Sequence, residues 1–154
     1  MKGYWKISSL GWLIVIAMFA VAIMEWSSAP DQIAVHWNGA GQVDGYGGKF
    51  AGLLLVPIIA TLIWSLLNFG AWRYRRQFDR GVRNAFFLFA YALLLLQGSL
   101  FAAQILYVRG FVINVTYIIG PGLVFIFIAV GCLVVFAARK KLRENHVPPF
   151  STPT

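Results

Sequence analysis

The sequence predicts an all-α integral membrane protein, a four-helix bundle with a compact outer loop between its first and second helices. Three observations predict it. The first is composition. Of 154 residues, 60% are hydrophobic and 12% charged, against about 25% charged in a soluble domain. A chain this short cannot hide so much apolar surface in its own interior. The second is spacing of charge. Ile7–Met24, Phe50–Trp72, Asn84–Val108 and Gly110–Ala138 carry no Asp, Glu, Lys or Arg and run 18, 23, 25 and 29 residues. About 20 apolar helical residues cross the roughly 30 Å of hydrocarbon in a bilayer. The runs do not alternate as barrel strands of about 10 residues would, and in lipid a helix pairs its backbone groups within one segment.

The third is the placement of the basic residues. With a cytoplasmic N-terminus, the inner segments hold Lys2, Lys6, Arg73, Arg75, Arg76, Arg80, Arg83, Arg139, Lys140, Lys141 and Arg143, and the outer segments hold Lys49 and Arg109. Eleven against two is a positive-inside pattern. It places both termini in the cytoplasm and the chain in the cell (inner) membrane. The formal charge of +8 is thereby read as topology and contact with anionic lipid, not as nucleic-acid binding.

The elements follow in order. Helix one is expected from about Ser8 to Trp26, with Tyr4, Trp5 and Trp12 at its inner end and Trp26 at its outer end, as for aromatic residues at an interface. Lys2 and Lys6 imitate the start of a secretory signal, but the apolar run exceeds the usual 7–15 residues or so, and Pro30 follows the small residues Ser27-Ser28-Ala29. A retained helix is expected. The outer loop is 27–49. Helix two is expected from Phe50 to Trp72, with Pro57 in its outer third; 1–72 forms one module. A basic inner loop, "RYRRQFDRGVR", leads to helix three, Asn84 to Tyr107, and 73–143 forms a second helix pair. Pro121 favours a helix-four start at its first turn, which leaves Val108–Ile119 extended or re-entrant. A start near Tyr117 would put Pro121 inside the helix as a kink. The proline-rich tail, 144–154, reads as disordered.

Polar stripes mark two helices. Thr61, Ser65 and Asn68 share a face of helix two, and Gln97 and Gln104 a face of helix three. Interhelical hydrogen bonding is the expected role, with a polar path as the alternative. Glu25 is expected at headgroup level, within reach of water. Cys132 is the only cysteine and reads as a packing residue.

The outer loop contains "VHWNGAGQVDGYGGK", Val35 to Lys49. "IAVHW" alternates like a short strand. Asn38-Gly39 and Asp44-Gly45 are turn dipeptides that favour positive φ, so the loop is expected to be compact, with Trp37 and Tyr46 dipping into the interface. His36, Asp31, Asp44 and Asn38 make a weak metal set, and no metal or other cofactor is expected. His36 has the chemistry of a general base, but no nucleophile motif accompanies it. The glycines lack the strand, helix and Lys-Ser or Lys-Thr of a phosphate loop. Two readings stay open: His36, Asn38, Asp44 and Lys49 hold the loop's shape, or they meet a ligand. "NVT" at Asn114 fits a glycosylation sequon.

The order of Pro30, His36, Trp37, Asn38, Gly41, Asp44, Gly45, Tyr46 and Lys49, followed by an apolar helix with Pro57, resembles a membrane module known as domain of unknown function 1648, found at the N-terminus of SdpI-like immunity proteins. The resemblance runs from about Ser8 to Trp72. It implies a non-enzymatic multi-pass protein whose outer loop recognises an extracellular peptide or partner, in immunity or signalling. The Gly-x-Arg-x-Pro type motif of the later helices of those proteins does not occur here, and no catalytic residue is carried over. Beside this stand two other expectations: an accessory subunit packed against other membrane proteins, and a ligand-binding or transporter-like bundle.

Overall fold

The computed structural model describes residues 2–74, 76–77, 80–111 and 114–145. The tail expected to be disordered lies outside them from residue 146 on, as do Arg75 of the basic loop and the side chains of residues 1–7, Tyr4 and Trp5 among them. The elements are α1 (Lys2–Glu25), β1 (Ile33–Trp37), β2 (Val43–Gly47), a π-helical turn (Phe50–Leu54), α2 (Leu55–Arg73), α3 (Arg80–Val108) and α4 (Thr116–Asn145). Each of the four α-helical segments contains a stretch long and apolar enough to cross a bilayer. The chain is a multi-pass membrane protein of four helices, as composition predicts.

The core follows from helical spacing. On α1, Ser8, Gly11, Val15, Met18 and Ala22 are buried, at steps of three and four that keep one face inward. Leu53, Pro57, Ala60 and Trp64 make the matching face around the start of α2, and Ala90, Leu94, Phe101 and Ile105 that of α3. Trp64 is the largest fully buried side chain, 1% exposed. It lies edge-on to Tyr91, with ring centroids 5.1 Å apart. Gly11 makes room for it, since a Cβ there would run into the Trp64 indole. Among the described residues, α4 packs on α3 alone of the helices. Gly122 lies against Leu96 at that contact, while Tyr117, Phe127 and Val134 point away from the protein.

Two sequence expectations are corrected, on helix four and on the polar stripe of α2, and the opening of helix two is refined. Helix four begins at Thr116 and carries Pro121 inside it, which is the alternative start near Tyr117 and not the favoured one at Pro121. The start is fixed by Asn114, whose Oδ1 accepts from the Thr116 N–H at 3.0 Å. Capping one turn early outweighs the proline, which removes one backbone bond near an end where such bonds are few. Helix two opens with a π-turn, in which the Leu55 N–H reaches back to the Phe50 carbonyl. The wide turn stands just before Pro57, which has no N–H to offer the preceding turn. The stripe on α2 is mostly not interhelical. Thr61 donates to the Pro57 carbonyl at 2.8 Å, Ser65 to Thr61 at 2.6 Å and the Asn68 amide to Trp64 at 2.8 Å. These short side chains satisfy themselves four residues back on their own helix. Only Asn68 also reaches another helix, accepting from Ser8 Oγ at 2.6 Å.

Candidate functional site

The loop between α1 and α2 is a β-hairpin. β1 and β2 run antiparallel, pairing Ile33 with Gly47, Ala34 with Tyr46, His36 with Gly45 and Trp37 with Val43. The register passes over Val35 on one strand and Asp44 on the other, and such irregularities re-aim side chains. Here Asp44 Oδ1 meets His36 Nδ1 at 2.5 Å, on an exposed surface. Gly45 faces His36 across the ladder, and a Cβ there would stand 2.8 Å from the His36 Cβ. Asp44-Gly45, read from sequence as a turn, is therefore strand. The packing of Ile33 and Ala34, both fully buried, fixes the pairing and overrides the local turn preference.

The real turn is Asn38 to Gly41. The Gly41 N–H donates to the Asn38 carbonyl at 2.9 Å, and the Asn38 N–H to the Gln42 carbonyl at 2.8 Å. Asn38 Oδ1 accepts from the N–H groups of Ala40 at 2.9 Å and Gln42 at 3.0 Å, the side-chain mimicry that makes Asn a turn residue. In this loop only Gly41 has positive φ, at 77°, a conformation cheap for glycine.

The hairpin is pinned at three places, at its tip to chain far away in sequence. At its tip, the Asn114 amide donates to the Ala40 carbonyl at 3.1 Å, and the Val115 N–H to Gly41 at 3.4 Å. Gly41 is buried against Asn114, where a side chain would collide with Oδ1. Asn114 thus uses both amide atoms for structure, which gives the "NVT" triplet an architectural role. At its base, Lys49 Nζ donates to the Trp26 carbonyl at 3.3 Å. At its floor, Gly52 lies against Ile33, so closely that a Cβ would overlap it. Beside the hairpin, Arg109 donates through Nε and Nη2 to Glu25 Oε1, at 2.9 and 2.5 Å. The Glu25 side chain is 13% exposed and is held by Arg109.

Between the hairpin and the end of α3 lies a cleft of about 490 Å³. Trp37, Gln42, Val43 and Tyr46 wall it on the hairpin side, Ala103 and Tyr107 on α3, and Phe111 and Asn114 beyond. Its lining holds no ionisable acid or base other than tyrosine. Tyr46 and Tyr107 approach to 6.1 Å between ring centroids. The volume falls within the roughly 300–1,000 Å³ of small-ligand sites, which are mostly apolar with a few placed polar groups.

Of the residues singled out in the sequence, Trp37, Gly41 and Tyr46 line this cleft. His36 and Asp44 pair with each other, Gly45 makes room for His36, Asn38 shapes the turn and Lys49 closes the base. Pro30 is exposed just after the end of α1. The sequence reading did not include Gln42, Val43, Ala103, Tyr107, Phe111 and Asn114 in the site. A second cluster of aromatic and amide residues near the same membrane face, Tyr107 to Asn114, was the available signal.

No curated protein and no solved structure gives a match to this chain. Residues 13–61, from within α1 through the whole hairpin to the second turn of α2, match the family model of a domain of unknown function (DUF1648).

Proposed function

We propose that this is a non-enzymatic, SdpI-like membrane protein whose hairpin end faces outward and receives an apolar segment of an extracellular peptide. The observation that carries the reading is the cleft, uncharged, aromatic and held open by a hairpin pinned at tip, base and floor. Pinning matters because a preformed site avoids the ordering cost of a loose loop. The positive-inside distribution supports the orientation, with both termini in the cytoplasm of a cell-membrane protein. The exposed His36–Asp44 pair is read as part of the hairpin's shape, not as a base awaiting a nucleophile. The test is survival of cells producing the chain under challenge by hydrophobic, membrane-active peptides. Tyr46→Ala and Trp37→Ala should abolish protection at unchanged protein level in the membrane. Protection that persists in both variants would sink the reading.

A second reading, an accessory subunit of a larger membrane complex, is favoured by α4. That helix packs on α3 alone among the described helices and presents Phe127, 76% exposed, with Val124, Ile128 and Val134. Mild-detergent purification from native membrane discriminates: fixed stoichiometric partners support this reading, and a lone chain or homodimer removes it.

A further inference from the structure

We propose that the basic end of the bundle is a headgroup site for a lipid that carries two phosphates, of the diphosphatidylglycerol class, held between the start of α3 and the end of α4. Residues 73–83 carry five arginines and one acid, Asp79, and residues 139–144 carry four cations and one acid, Glu144. The two groups are far apart in sequence, and the structure brings them to one level. Gly122 of α4 lies against Leu96 of α3. Lys140 Nζ donates to the carbonyl of Gln77, just before α3, at 3.1 Å. Two contacts so spaced fix an antiparallel register. Each step back along α3 is matched by a step forward along α4, which sets Arg80 level with about residue 138 at a rise of about 1.5 Å per residue. Arg139 and Lys141 then stand within about 5 Å of Arg80 along the axis, on a packed neighbour whose own axis lies about 8–10 Å away. Arginine and lysine side chains are long enough to span that gap.

The chemistry of the partner follows. Arg76, Arg80, Arg83, Arg139 and Lys141 are exposed. Among the described residues the ion pairs lie at the other end, His36 with Asp44 and Arg109 with Glu25. Cations gathered at one level repel, and an anion that bridges them removes the repulsion. Basic residues between neighbouring spans are a recurring form of lipid-headgroup site. A lipid with one phosphate engages the cations of one helix at a time. Two phosphates joined through a glycerol reach α3 and α4 together, and the second contact gains from being intramolecular. The acyl chains also have a surface to follow. Among the described helices α4 packs on α3 alone, and Val134 and Val135, one to two turns from the basic end, are exposed. A soluble diphosphate would leave that surface uncovered. Orientation in a membrane requires only that the cations lie on one side. A headgroup site requires them at one level on two helices, and the antiparallel register supplies that.

The test uses the full chain in a neutral detergent. It is titrated with diphosphatidylglycerol or with phosphatidylglycerol of the same acyl chains, and bound lipid is counted by native mass spectrometry. At equal phosphate the two-phosphate lipid should bind about tenfold more tightly, as one or two added cation–phosphate contacts would give, and should saturate at one per chain. Combining Arg80→Gln with Arg139→Gln should abolish that preference. Combining Arg80→Lys with Arg139→Lys keeps the charge and should retain it, which separates loss of the site from loss of the fold. Equal binding of the two lipids by wild type, the result that membrane charge alone would give, overturns the proposal. So does a preference that survives in the glutamine variant. Displacement of the bound lipid by an equal concentration of inorganic pyrophosphate would assign the site to a free anion and overturn it as well. Peptide protection is read at the opposite end of the bundle, so failure here leaves that reading standing.

Discussion

The two ends of this bundle differ in the charge they carry and in the structure that closes them. At the hairpin end, side chains reach across long stretches of sequence to grip backbone or an opposite charge: Lys49 to Trp26, Arg109 to Glu25, Asn114 to Ala40. At the basic end, the contacts include Ser8 to Asn68 and Lys140 to the Gln77 carbonyl at 3.1 Å, beside Arg73, Arg76, Arg80 and Arg83, which are exposed. One end is built to a shape. The other is labelled with charge, which sets orientation in a membrane without needing a fixed geometry.

Substitutions can break this contrast, and the largest effect is expected at the floor of the hairpin. Gly52→Val would drive a branched side chain into Ile33, which is fully buried. Overpacking of this kind costs about 1–3 kcal/mol or more, and hydrogen exchange of hairpin amides should accelerate well before the helices are affected. Next comes Arg109→Ala. It leaves Glu25 largely buried without its cation, which costs about 3–5 kcal/mol for a fully buried pair. With Arg109 itself half-exposed, a loss of about 2 kcal/mol in detergent unfolding is expected. Glu25→Gln should lose less, because it removes the charge along with the ion pair.

Gly41→Ala tests the tip. The positive φ alone costs about 1–2 kcal/mol, and the contact with Asn114 adds to it. Combining it with Asn114→Ala should recover part of the loss, and a double-mutant cycle that came out additive would show that the two residues do not touch. Asn114→Ala alone should cost about 1 kcal/mol through the lost cap on α4. The smallest effect is expected at the other end. Lys140→Ala should lower thermal stability by about 0.5 kcal/mol, the loss expected when a half-buried lysine gives up a hydrogen bond to a backbone carbonyl. A larger loss there than at Gly41 would erase the distinction between the ends.

Much of the architecture was legible because bilayer thickness leaves few choices. Four charge-free runs of sufficient length mean four spanning segments, and backbone pairing in lipid makes them helices. Element ends were less legible. Nothing local to Thr116 says that Asn114 will cap a helix five residues ahead of Pro121, because the same Asn114 is also needed by Ala40, 74 residues earlier in the chain. The loop shows the same division. Asn38-Gly39 signals a turn in the sequence, and Asn38 makes one. Asp44-Gly45 carries the same signal and is strand, because Ile33 and Ala34 set the register from the core side.

By itself, then, the sequence determined the solvent, the number of spans, the side on which basic residues gather and the presence of a compact loop after helix one. Each of these depends on composition and periodicity within one segment. Only the tertiary structure decided that Trp37 and Tyr46 share a cleft with Tyr107 and Phe111, that Glu25 belongs to Arg109, and that among the described helices α4 packs on α3 alone. Those facts depend on how separate helices pack. In lipid the hydrophobic effect gives little preference among apolar faces, so small local fits such as Gly11 under Trp64 and Gly41 against Asn114 choose the arrangement.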